Sequence, residues 1–311
     1  MEIFENLCHL AALRGPVVLA IGVFDGLHRG HQAVLGRAQR EAADLGGTAL
    51  PLTFDPHPAR VVRPEQAPAL LCTSPCKTRI LASMGFEACM ILPFTEALAA
   101  TPPEDFITSL AGACAPLGAI CVGQDWSFGK GRAGNLALLE RLGQTLRFRA
   151  IGVDPLLFEG SPISSTRIRG ALAQGELPAA ASMLGRPFSI CSKVTQGRRL
   201  GRTLGFPTAN LPLHNELLPP HGVYAVRVQF DNHRYLGVAN LGVRPTVEAR
   251  AHAPSLEVHL FDFEGDIYEK PLQVDFLRFQ RGERRFDSLA ELQAQIQRDA
   301  AEARHWLSAH A

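Results

Sequence analysis

Val17-Val18-Leu19-Ala20-Ile21-Gly22-Val23-Phe24-Asp25-Gly26-Leu27-His28-Arg29-Gly30-His31 sets the fold expectation for the first half of the chain. Residues 17–23 are apolar without alternation, the pattern of a strand buried on both faces. A glycine-containing turn follows at once, and residues 31–44 then read as the first long helix. An α/β sheet places ligands outside the carboxyl ends of its strands, which is where residues 22–31 fall. Gly22 and Gly26 permit a tight turn and close approach of backbone to phosphate. His28 and His31 are three residues apart and share a face once the helix begins. Their imidazoles can donate to phosphate oxygens, and the helix N-terminus adds its positive end. A turn with two solvent-facing histidines is the plainer alternative for an isolated glycine or histidine; the combination favours a nucleotide site, with Phe24 and Asp25 inside it. The spacing is neither GxGxxG nor GxxxxGK[ST]. Asp25, His28 and His31 could instead gather around zinc, but phosphate-bound magnesium prefers oxygen ligands, and phosphate contact is the favoured role.

The alternation continues outward. Residues 49–54, 88–92 and 119–122 are further buried strands, and residues 77–84, 103–111 and 135–142 are helices between or after them. Another strand is expected near 146–153. Crossover-length helices between unalternating strands predict a parallel sheet covered on both faces. Residues 162–169 form a loop entering a helix, and 172–184 continue as helix. The texture changes near Leu184-Gly185-Arg186-Pro187, where a domain boundary is expected. Beyond it, 222–230 pairs with 235–239, and 256–261 with 272–279, as half-buried antiparallel strands, which suits a small barrel. Ser288 and Glu291 have capping-box spacing at the start of a final helix. Leu289, Leu292, Ile296 and Ala300 line the face expected to lie on the barrel.

The chain's 311 residues exceed what one core usually fills, so two domains are expected. Residues 1–180 carry 15 Lys+Arg against 16 Asp+Glu, and residues 181–311 carry 16 against 14, so neither half is a polycation. Non-specific nucleic-acid binding needs many phosphate contacts and is disfavoured. The clusters Arg198/Arg199/Arg202 and Arg278/Arg281/Arg284/Arg285 are the features that argue for it, without an aromatic platform beside them. The apolar run at 16–24 is too short to span a bilayer, and the start lacks a basic n-region, so a cytoplasmic protein with no membrane partner is expected. Seven scattered cysteines do not form a secreted disulfide framework. Cys72 and Cys76 are the close pair, read as ordinary thiols in preference to structural zinc.

FDGxHxGH resembles the nucleotidylyltransferase signature. Thr53-Phe54-Asp55-Pro56-His57-Pro58, Gly123-Gln124-Asp125-Trp126-Ser127-Phe128-Gly129 and Ile163-Ser164-Ser165-Thr166-Arg167-Ile168-Arg169 narrow the likeness. Together the segments resemble the adenylyltransferase module of the bacterial bifunctional riboflavin kinase/FAD synthetase family. The resemblance implies that FMN phosphate attacks the α-phosphorus of ATP. His28 and His31 would hold phosphates and stabilise developing charge, Ser165, Thr166 and Arg167 would bind the triphosphate, and Asp125 would stand near the flavin. Phe54, Pro56 and Phe128 would wall the flavin pocket, with core packing the alternative for the aromatics.

Gly201-Arg202-Thr203-Leu204-Gly205-Phe206-Pro207-Thr208-Ala209-Asn210 is dense in turn formers and reads as a ligand-binding loop. Thr208 and Asn210 can present oxygens to Mg²⁺. The segment resembles the GRxLGFPTAN sequence of riboflavin kinases, and the likeness continues through residues 220–225, 237–246 and 257–263. It implies Glu257 as the base for the ribityl hydroxyl, Gly201 and Gly205 at the ATP phosphates, and Arg244 at the flavin. Ser192 and Glu269 stand where the family pattern has glycine. The two modules, at 1–184 and 186–304, imply a Rossmann-like α/β domain and a β-barrel with a C-terminal helix. The partners expected are ATP at both sites, Mg²⁺, and riboflavin, FMN and FAD as substrates and products, with weak or transient self-association. A chain in which only the adenylyltransferase is active is the alternative.

Overall fold

The computed structural model describes residues 1–114, 116–196, 205–213, 217–231, 233–243 and 254–310. Contacts divide the chain into two compact units, Met1–Ala69 with Lys77–Ser165, and Leu70–Cys76 with Thr166–Ala311. Short apolar strands with helical crossovers build the first unit. Its strands are β1 (Glu2–Phe4), β2 (Val17–Ile21), β3 (Thr48–Asp55), β4 (Ala88–Pro93), β5 (Leu117–Gly123) and β6 (Arg149–Val153). All pair parallel, in the order β1-β4-β3-β2-β5-β6. Between and after them run α1 (Arg29–Leu45), α2 (Pro58–Val62), α3 (Ser74–Ser83), α4 (Glu96–Ala99), α5 (Pro103–Ala113) and α6 (Leu136–Leu146). Every residue of β2 is buried. Val17, Leu19 and Ile21 share a core with Ile107, Leu110, Leu138 and Leu139 of α5 and α6. Val18 and Ala20 point the other way, and α1 packs against β2, β3 and β5. The parallel sheet covered on both faces is therefore as expected. Growth of the sheet reverses at β2, which puts the carboxyl ends of β2 and β5 at the switch point where α/β sheets bind ligands.

Two sequence expectations shift here. Leu146 belongs to α6 rather than to a strand, because Asn135 caps the helix on the Leu138 N–H at 3.0 Å and Arg147 ends it at φ 63°. β6 thus begins at Arg149. A two-stranded ribbon, β7 (Leu157–Phe158) and β8 (Ser161–Pro162), follows. The helical stretch expected over 172–184 is split into α7 (Ser165–Ala173) and α8 (Leu177–Leu184). Gly175 at φ 79° turns the chain, and a proline opens α8.

The second unit holds a six-stranded antiparallel sheet of β9 (Phe188–Lys193), β10 (Ala209–Pro212), β11 (Gly222–Phe230), β12 (His233–Val243), β13 (Pro254–Leu260) and β14 (Pro271–Gly282). Its order is β10-β13-β12-β11-β14-β9. The outer strands approach each other: the Thr195 N–H donates to the Asn210 carbonyl at 2.8 Å, and Ser192 Oγ to the Pro212 carbonyl at 2.8 Å. The sheet so curls into the expected barrel. β11 pairs with β12 as expected, but β13 does not pair with β14. β13 lies between β12 and β10, whereas β14 crosses to the far side of β11. Asn210, placed in a loop by its turn-rich neighbours, lies in β10.

The last helix, α9 (Leu289–His310), covers the outer face of β11 and β12 through Ala300, Ala303 and Leu307. Ser288 Oγ caps the Glu291 N–H at 3.2 Å, and Glu291 reaches back to the Asp287 N–H at 3.3 Å. The expected stripe is offset, since Leu289 is 62% exposed and the buried positions include Gln295 and Asp299. Asp299 earns burial by accepting from Arg281 Nη2 at 2.6 Å and Gln295 Nε2 at 2.7 Å. Cys76 is disulfide-bonded to Cys191, not to its near neighbour Cys72, which differs from the expectation of ordinary thiols throughout. Among the described residues no helix is long and apolar enough to cross a membrane.

Candidate active sites

β2 ends at Ile21, and the chain enters α1 through a loop that bends sharply at Phe24 (φ 49°), Gly26 (φ 81°) and Leu27 (φ 44°). Non-glycine residues in this region cost about 1–3 kcal/mol each, so the loop must be held by its surroundings. Phe24 and Leu27 are almost fully buried, which holds it from inside. Thr53 Oγ1 donates to the Val23 carbonyl at 2.8 Å and holds it from β3. His28 is the N-cap of α1, its Nδ1 accepting from the His31 N–H at 3.3 Å. A neutral His28 ring therefore carries its proton on Nε2. The His28 and His31 rings stack with centroids 3.5 Å apart, and Phe24 meets His31 edge-on at 5.3 Å. A Cβ at Gly30 would stand 3.1 Å from His28 Nδ1, so glycine there makes room for the ring. Ser165 Oγ donates to the Asp25 carbonyl at 3.0 Å. Thr166 and Arg167 follow it in the first turn of α7.

Around the carboxyl ends of β3 and β5 the proposed flavin-side residues differ in access. Phe54 is half-buried and meets Phe94 edge-on at 5.5 Å, and Pro56 is exposed after a cis Asp55–Pro56 bond. Asp125 is exposed just beyond β5. Phe128 is 7% exposed and sits in the core with Trp126 stacked on it at 4.3 Å. Trp126, half-buried, is thus the more accessible ring. Sequence reasoning quoted Trp126 without assigning it a role, because its position in the motif says nothing about which aromatic covers which.

In the second unit a cavity of about 300 Å³ lies between the outer sheet face and α9. Val223, Val238 and Ala239 give it an apolar floor, while Thr208 and Glu257 stand on its wall. The strand register explains how Glu257 comes there. Asn210, Glu257 and Asn240 are direct partners across β10, β13 and β12, so their side chains project from one face. Leu256, Val258 and Leu260 alternate with them and are buried on the opposite face. Asn210 Oδ1 is buried without a hydrogen-bond partner among the described residues. His259, two residues from Glu257, donates from Nδ1 to the Pro207 carbonyl at 2.9 Å and fixes the approach to Thr208. The period-two pattern of β13 puts His259 beside Glu257, a signal sequence reasoning left unused. Gly205 is exposed at φ 83°, a conformation that favours glycine. Gly201 and Arg244 lie outside the described residues.

Two family models match the chain, one described as FAD synthetase over residues 11–167 and one as riboflavin kinase over residues 184–307. A bifunctional riboflavin kinase/FMN adenylyltransferase of Escherichia coli K12 is 41% identical over 308 residues, covering 98% of each chain. One from Pseudomonas fluorescens is 37% identical over 306 residues, covering 98% of this chain and 97% of its own. A solved structure from Streptococcus pneumoniae, described as a macrolide-efflux protein, covers 98% of both chains at 29% identity, with a TM-score of 0.82. With both models matched in order and relatives aligned over nearly all of its residues, the chain belongs to the bifunctional riboflavin kinase/FMN adenylyltransferase family.

Proposed function

We propose that the family's two reactions are divided between the two units, riboflavin phosphorylation at the Glu257 wall and adenylyl transfer at the His28/His31 loop. The chain phosphorylates riboflavin to FMN with ATP, then transfers AMP from a second ATP to FMN, giving FAD and pyrophosphate. The observation that carries the division is that the stacked histidine pair and the Asn210–Glu257–Asn240 ladder belong to different compact units. By the sequence modules, residues 1–184 are assigned to adenylyl transfer and 186–304 to the kinase, so residues 166–184, which the contacts group with the second unit, are counted with the adenylyl-transfer module.

The nucleophiles explain why the sites differ in chemistry. An alcohol must lose its proton as it attacks, so the kinase site needs a base. Glu257 takes the proton of the ribityl 5′-hydroxyl while that oxygen bonds to the γ-phosphorus, and the bond to the bridging oxygen breaks to release ADP. Thr208 and Asn210 fit a hard cation: Asn210 Oδ1, without a partner among the described residues, is an oxygen ligand two residues from the Thr208 hydroxyl that lines the cavity. Bound Mg²⁺ supplies charge neutralisation on the ATP phosphates there. An FMN phosphate is already largely ionised near neutral pH, so the first site needs donors and no base. His28 through Nε2, and His31, donate to the phosphates as the FMN oxygen attacks the α-phosphorus and pyrophosphate departs. Ser165, Thr166 and Arg167 bind the triphosphate, and Asp125, Phe54, Pro56 and Arg244 serve the flavin, with Phe128 in the core beneath the more accessible Trp126.

Incubation with riboflavin, ATP and Mg²⁺, followed by chromatographic separation of flavins, tests both activities. FMN and then FAD are expected. FAD formed from supplied FMN without any product from riboflavin would overturn the kinase assignment and leave the adenylyltransferase alone.

A further inference from the structure

The first unit buries a cation that neither reaction step uses. Lys77 of α3 is 5% exposed, and its Nζ donates to the Val23 carbonyl at 2.8 Å and to Thr53 Oγ1 at 3.0 Å. Both acceptors are neutral oxygens, and among the described residues no carboxylate lies within ion-pair distance of it. A buried ammonium without an opposite charge carries a desolvation penalty. Bracing the loop does not require that penalty, because the Thr53 hydroxyl already donates to the same carbonyl at 2.8 Å. Position supplies the missing reason. Val23 lies in the loop that continues through Phe24 and Leu27 to His28 and His31, so the charge sits at the root of the turn where phosphates are expected. A polyphosphate on that turn brings several negative charges toward a cation that has no ion-pair partner among the described residues.

We propose that Lys77 is the fixed positive charge of the adenylyl-transfer site, drawing the ATP polyphosphate and the departing pyrophosphate onto the His28/His31 turn. It is a positioning residue: it acts through the Val23 carbonyl and through its field, in a dry region where charge is weakly screened. The inference rests on the assignment of adenylyl transfer to this loop.

Pyrophosphate binding to the full chain, measured by calorimetry, tests it together with steady-state FMN adenylylation. Lys77→Gln keeps a donor for the Val23 carbonyl and removes the charge, whereas Lys77→Arg keeps the charge. The expected result is pyrophosphate affinity about tenfold weaker in Lys77→Gln, with a matching rise in KM for ATP. Lys77→Arg recovers most of the loss, riboflavin phosphorylation is unchanged in both, and an unchanged thermal midpoint reports on folding of the first unit. Lys77→Met makes the same comparison if Lys77→Gln loses its thermal midpoint. Wild-type pyrophosphate affinity in a folded charge-free variant overturns the inference. A folded Lys77→Arg as weak as Lys77→Gln overturns it too, since shape and not charge would then be at issue. Absence of FAD from FMN in the wild-type protein would instead count against the underlying assignment.

Discussion

Glu269 sits at φ 60°, in the left-handed region, in the turn that leads into β14, with its N–H donated to the Val194 carbonyl at 3.0 Å. The family pattern has glycine here, and the structure shows why: only glycine adopts this backbone without strain. Glu269→Gly should therefore stabilise the chain by about 1 kcal/mol, read as a higher denaturant midpoint at unchanged slope. A lower midpoint would show that the Glu269 side chain supports the turn in its own right. Ser192, the other departure, is an ordinary strand residue hydrogen-bonded to the Pro212 carbonyl, and glycine there has no comparable advantage. At this scale His28, His31 and Glu257 were legible because their residue types are costly without a purpose. Lys77 was not, because a lysine at the start of a helical run reads as solvated surface until the fold buries it.

Among the elements, α9 shows best what pattern alone conveys. Its start was legible from Ser288 and Glu291, since capping is local chemistry. Its buried face is offset from the apolar stripe, holding Ala300 but not Leu289, because apolar spacing gives no credit to Asp299, which Arg281 and Gln295 neutralise and satisfy. Asp299→Ala would leave those donors facing a void beside the cavity that Glu257 lines. A loss of about 2 kcal/mol in urea unfolding is expected, with FMN formation more impaired than FAD formation from supplied FMN. A cost below about 0.5 kcal/mol would mean that water replaces the carboxylate without penalty. Strand pairing was less legible for a different reason. β13 and β14 are neighbours in sequence, but hairpin logic cannot see that the chain between them crosses to the far side of β11. Short strands such as β10, four residues cut from a turn-rich segment, carry too little periodicity to register.

For the whole molecule, the parallel sheet was the most legible feature, because every strand buried on both faces repeats the same signal. Burial also sets its thiol chemistry: it pushes Cys89, Cys114 and Cys121 up to about 12. At pH 8.5 these groups stay protonated and unreactive, so iodoacetamide should modify the exposed Cys8 in the native protein and reach the other three only after denaturation. Labelling of the three at the rate of Cys8 would contradict the packing of the first unit. The Cys76–Cys191 bond had no sequence signal, since a separation of 115 residues is invisible before the fold brings the pair together. Above these details stands the proposed division of chemistry between two units, which His31→Ala and Glu257→Gln test in one flavin-product assay. His31→Ala is expected to accumulate FMN from riboflavin with FAD formation reduced, and Glu257→Gln to make little FMN yet still convert supplied FMN to FAD. Equal loss of both activities in either folded variant would contradict two independent sites.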